Sequence, residues 1–168
     1  MYSVTQLQAM DYILKRITLE ESYPFFRKNL KLVVEINGSF WYGDFIQMDG
    51  LAAKQLFIDD SGEIECDKFY PTGSNAITLL KQIWDAYVTA AKNETNPFWN
   101  NPFRSINDLS LLFEALTRIL DLSNIVEDSS PFNPYFLNAH TLDGTLQLTF
   151  INLNSAKIKL VSIIEVKN

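Results

Sequence analysis

Apolar residues recur at three- and four-residue steps in three stretches of the chain, and alternate with polar ones through most of the rest. The longest helical run is 75–92, where Ile77, Leu80, Ile83, Trp84, Tyr87, Val88 and Ala91 share one face and Lys81, Gln82, Asp85, Thr89 and Lys92 fall between them. Ser74 or Asn75 caps its start, and Lys92 suits the negative end of the helix dipole. An earlier helix runs from Ser3 to about Leu19 on Val4, Leu7, Met10, Leu14 and Ile17, opened by a Ser3–Gln6 capping box. A third opens with a Ser105–Asp108 box and carries a broad apolar face of Leu109, Leu112, Phe113, Leu116, Ile119 and Leu120.

The alternating stretches predict strands. Leu30 to Ile36 and Ser39 to Gln47 flank Asn37-Gly38, the pair best suited to a type I′ hairpin because both residues tolerate positive φ. Phe40, Trp41 and Tyr42 are consecutive, so at least one ring faces away from the main core. Gln55 to Asp59 and Glu63 to Phe69 form a second hairpin around Asp60-Ser61-Gly62. After the third helix, Phe136 to Leu142, Thr145 to Leu153 and Lys157 to Lys167 predict a three-stranded antiparallel meander with Leu146, Leu148 and Phe150 on its buried face. The last strand changes phase at Val161-Ser162, which a bulge, or burial on both faces, would account for. These elements give an α+β fold with antiparallel sheet from two N-terminal hairpins and the meander, packed against about three helices in one domain spanning residues 1–168.

Composition changes this picture little, and charge changes it more. With 47% hydrophobic residues the chain folds, and no apolar run approaches a membrane span. Met1-Tyr2-Ser3-Val4 lacks the basic and apolar regions of a secretory signal and Cys66 is the sole cysteine, so a cytosolic location is expected. The net charge of −6 lies entirely between Asp44 and Asp67, where seven acids meet Lys54 alone; elsewhere thirteen acids meet thirteen bases. Such a surface disfavours nucleic acid or an anionic membrane and favours a basic protein. Solubilising a sheet edge is the simpler use of the same acids.

Candidate chemistry is sparse. His140 is the only histidine and sits in a predicted strand, and no Gly-x-Ser-x-Gly elbow is present. One histidine and one cysteine do not make a zinc site. Asp59-Asp60-Ser61-Gly62 fails as a calcium loop, since Phe57 and Lys68 would occupy the first and twelfth ligand positions. No phosphate-binding glycine motif occurs. An enzyme is not expected, nor a cofactor or metal. Two Asn-Pro-Phe triplets, 96–98 and 101–103, resemble the short turn motif bound by EH domains of endocytic proteins, though Asn-Pro is itself a turn former.

The expected function is therefore protein binding, most concretely as an inhibitor or immunity protein that neutralises a basic partner such as a nuclease toxin. Asp59, Asp60, Glu63, Glu65 and Asp67 would meet the partner's lysines or arginines, with Trp41 or Trp99 as the desolvated anchor. The alternative is a pocket for a small apolar ligand between helices and sheet, lined by Trp84, Tyr87, Phe113 and Phe150. A homodimer held by the helix from Leu109 to Leu120 is a further expectation.

Overall fold

In the computed structural model the capping box that opens the chain is formed. Ser3 N donates to Gln6 Oε1 at 2.9 Å and Gln6 N donates to Ser3 Oγ at 3.1 Å, so each side chain satisfies a backbone donor that the first turn leaves unpaired. Helix α1 follows over Val4–Ile17 and buries Leu7, Met10, Ile13, Leu14 and Ile17. The structure describes residues 2–18, 21, 23–45, 57–58, 64–65, 106–123, 135–154 and 157–167. The helix expected over 75–92 lies outside them.

Strands β1 (Leu30–Ile36) and β2 (Ser39–Asp44) pair antiparallel through the Asn37-Gly38 turn, with φ values of 50° and 89° that suit type I′. Of the second hairpin, the described residues are β3 (Phe57–Ile58) and β4 (Ile64–Glu65), which pair antiparallel as a two-stranded ribbon. Helix α2 spans Leu109–Ser123, and its cap differs from the expected Ser105–Asp108 box. Asp108 itself accepts from Ser110 N at 2.8 Å and Leu111 N at 3.2 Å, because a carboxylate one residue before the helix reaches both free donors. Tyr2 Oη donates to Asp121 at 2.8 Å and joins the beginning of α1 to the end of α2.

Three further strands, β5 (Tyr135–Thr141), β6 (Gln147–Asn152) and β7 (Ile158–Glu165), complete an antiparallel sheet in the order β6-β5-β2-β1-β7. The α+β class is as expected, but the C-terminal meander is not formed. β5 and β6 are a hairpin, whereas β7 leaves it and pairs with β1. The reason lies in the core. Ile158, Leu160 and Ile163 come opposite Ile36, Val34 and Leu32, which are buried on the helix side of β1. Leu160 and Ile163 are three residues apart and share a face only because Val161 is bulged: Val33 pairs with Ser162 and Val34 with Leu160. The phase change in the sequence is this bulge.

Chain length constrains the sheet's shape. Asn152 ends β6 beside Tyr135, and Ile158 starts β7 beside Ile36 at the opposite end of the strands. The intervening six residue steps reach about 21 Å. A flat sheet would separate its edges by about 19 Å and add a strand length to that. The sheet is therefore coiled, bringing the end of β6 towards the start of β7.

Helix α1 packs on β1 and α2 on β7, so the described helices cover one half of the sheet. That placement reverses an expectation for β6. Leu146, Leu148 and Phe150 are not its buried face but stand 49%, 37% and 56% exposed.

β2 and β5 lie unusually close. Their register shifts between Tyr42 and Asp44, where β5 carries an extra residue and Asn138 adopts φ 51°. A Cβ on Gly43 would stand 2.6 Å from the Leu137 carbonyl oxygen, 3.1 Å from that of Asn138 and 3.1 Å from the Phe136 ring. Backbone cannot yield as a side chain does. Gly43→Ala is expected to destabilise the protein by more than about 2 kcal/mol, read as a lower urea midpoint; an unchanged midpoint would show that β5 moves freely at its bulge.

Candidate functional site

Two features stand out from the core: a cluster of charges where α1 meets the sheet, and an apolar sheet edge. The cluster begins with Asp11, which sits among the core residues of α1, one turn from Leu7 and Leu14, and is fully buried. Its Oδ2 accepts from Lys15 Nζ at 2.5 Å and from Phe45 N at 2.9 Å. Lys15 also reaches Asp44 Oδ1 at 3.1 Å, and Lys31 donates to the same oxygen at 2.6 Å. Asn138, at the β5 bulge, donates to Asp44 Oδ2 at 3.2 Å. Two carboxylates thus face two ammonium groups.

Burial by itself would lower the Lys15 pKa, but the nearby carboxylates of Asp11 and Asp44 outweigh it and raise the value above 10.5. Burial likewise pushes Asp44 up, and Lys15 and Lys31 overcome it, so the carboxyl ends below 3.8. A nucleophilic lysine requires the opposite shift. The cluster is an electrostatic clamp that fixes α1 to β1, β2 and β5, not a reactive centre.

Asp44 was one of the seven acids in the acidic stretch, and its charge is spent internally. From Asp49 to Asp67 six acids and Lys54 remain, a net of −5. Among the residues expected to meet a partner, Glu65 lies in β4 opposite Phe57. Asp59, Asp60, Glu63, Asp67 and Trp99 lie outside the described residues. Trp41 is 7% exposed and packs in the core, while its neighbour Phe40 is the exposed ring of the aromatic run.

His140 stacks on Tyr42 with ring centroids 5.1 Å apart and an interplanar angle of 8°, and its Nδ1 lies 2.9 Å from the Asn138 carbonyl oxygen. The imidazole therefore engages a ring and a carbonyl. Among the described residues no group of three or more His, Cys, Asp or Glu is placed to hold a metal ion, and no helix is long and apolar enough to cross a membrane.

The second feature is β6 with the end of β5. Phe150, expected in the wall of an internal pocket, stands on the edge strand in edge-to-face contact with Tyr135 at 5.2 Å. Leu142, just past the far end of β5, is also exposed. On α2, by contrast, Leu112, Leu116 and Leu120 are consumed by the core, which removes the main stripe of the expected helical dimer contact.

Neither feature was singled out from sequence. Asp11 was detectable, since an acid within the apolar stripe of α1 and four residues before Lys15 is out of place on a buried face. The pairing with Asp44 had no local signal.

The clamp predicts a pH window. Asp44 has a lowered pKa, so its stabilisation is complete above about 3.8 and is lost as pH falls through the depressed value. Lys15 has a raised pKa, so its share is complete below about 10.5 and is lost as pH rises through the raised value. Lys15→Met leaves two buried carboxylates without their shared cation and is expected to cost about 3 kcal/mol, lowering Tm by roughly 10 °C. Urea midpoints against pH check both statements; a flat profile for Asp44→Asn at acid pH is the expected control. In comparisons with known proteins, no family model, no curated protein and no solved structure matches the chain.

Proposed function

We propose that the chain is a small cytosolic protein-binding module without enzymatic activity, most concretely an inhibitor or immunity protein that neutralises a basic partner such as a nuclease toxin. One observation supports this reading: β3 and β4 pair antiparallel with Ile58 opposite Ile64 and Glu65 opposite Phe57, and in the sequence Asp59, Asp60 and Glu63 fall between these two paired segments. The proposed acids are thus neighbours along the chain, beside a paired ribbon that carries Glu65. Asp44, the member of the stretch with an internal use, is separate from it.

A basic protein that normally holds phosphate offers lysines and arginines to such a ribbon. Long-range attraction then raises the association rate, and the short-range ion pairs select the partner. Trp99 and Asp67 complete the proposed contact. Trp41 does not, because its ring is already packed.

Glu63→Lys combined with Glu65→Lys is expected to slow association with the basic partner by about tenfold or more at low salt, with Tm changed by no more than about 2 °C. The measurement is capture of the partner at low and moderate salt by both forms, followed by association kinetics. A large fall in Tm would instead assign these acids to folding, and binding that ignores both salt and charge reversal would sink the proposal.

A further inference from the structure

The two edges of the five-stranded sheet are built differently. β7 carries exposed Lys159, has Lys157 and Lys167 beside its ends and Glu165 at its last position, and is kinked by the Val161 bulge. Charges and bulges are the usual devices that stop one sheet edge from adding to another. β6 has none of them. From Gly144 to Ala156 the chain holds no charged residue and no proline, and the register between β5 and β6 is regular.

The orientation of the backbone of β6 is also defined. Thr141 N donates to the Leu146 carbonyl at 3.0 Å, so the carbonyl of Leu146 faces β5. By alternation Leu148 and Phe150 also turn their N–H and C=O groups to β5, and Gln147 and Thr149 turn theirs away from it. Gln147, Leu148, Thr149 and Phe150 are all exposed, and among the described residues no strand pairs with the outer side of β6.

We infer that β6 is the contact of a two-fold symmetric homodimer, in which β6 of a second copy pairs antiparallel with it about Leu148. A two-fold contact must be complementary to itself. An uncharged edge satisfies that condition and the acidic ribbon does not, which is why a second copy fits here and a basic partner fits there. In this register Gln147 and Thr149 of one copy exchange backbone hydrogen bonds with Thr149 and Gln147 of the other. Leu148 faces Leu148 across the axis, and Leu146 faces Phe150. These are the non-hydrogen-bonded pairs, in which side chains approach most closely. Leu148 and Phe150 on β6 and Leu146 just before it are the apolar side chains left exposed here, and they are the three that the pairing covers. The inference rests on the sheet edge and is independent of the proposed basic partner.

The test uses the full chain in sedimentation over a dilution series. The expected result is a species of twice 19.3 kDa that dissociates on dilution. Thr149→Pro removes a donor that points away from β5, leaving the β5–β6 hydrogen bonds intact, and is expected to weaken the dimer by roughly tenfold or more. Thr149→Val keeps the donor and should leave the dimer unchanged. A readout of register needs no loss of function: in a Cys66→Ser background, Leu148→Cys places two thiols about 4.5 Å apart at Cα and should form an intermolecular disulfide under mild oxidation, unlike Thr149→Cys. A chain that stays monomeric throughout the series overturns the inference. So does a dimer indifferent to Thr149→Pro, or one in which Leu148→Cys fails to cross-link.

Discussion

A carboxylate taken out of water must be paired, and in this protein the pairing of Asp44 organises the fold. Its two oxygens receive a lysine from α1, a lysine from β1 and an amide from the β5 bulge. Desolvating such a group costs several kcal/mol, and only well-placed partners offset that cost. Asp44 consequently specifies where the helix, the first hairpin and the returning strand β5 meet. Asp11 closes the arrangement by accepting the Phe45 amide, so the chain leaving β2 is held at the same point.

This clamp explains the irregularities beside it. Asn138 sits at φ 51°, a conformation in which asparagine is among the more tolerated residues, and from there its amide reaches Asp44. The same extra residue draws the Leu137 carbonyl against Gly43, a position that accepts no side chain. Bulge, glycine and buried charge are one feature seen from three strands.

The sequence was legible where the deciding interactions are local. Ser3 and Gln6 are three residues apart, Asn37 and Gly38 adjacent, and the phase change at Val161 is contained within β7; each is found as expected. Long-range pairing was not legible. Lys157 to Lys167 alternates well enough for a meander, and nothing within it shows that β1 rather than β6 is its neighbour. Exposure on β6 was missed for a related reason: alternation identifies two faces, and it is the packing of the described helices on β1 and β7 that leaves β6 outside their cover. At the site, charge density along the chain could not separate Asp44, whose partners lie 29 and 13 residues away, from the other acids of the stretch. Trp41 and Phe40 differ only in strand parity, and the parity put the tryptophan inside.

The pairing of β1 with β7 also sets the order in which the molecule can form. α1, β1 and β2 are contiguous and can assemble early around the Asn37-Gly38 turn, as can the β5–β6 hairpin. β1 must then wait for a strand that emerges from the ribosome well over a hundred residues later, with Ile36 joining Ile158. Closing so long a loop is entropically slow, and until it closes the apolar residues of β1 face an empty place in the sheet. During synthesis, that open side is where a chaperone would find the chain.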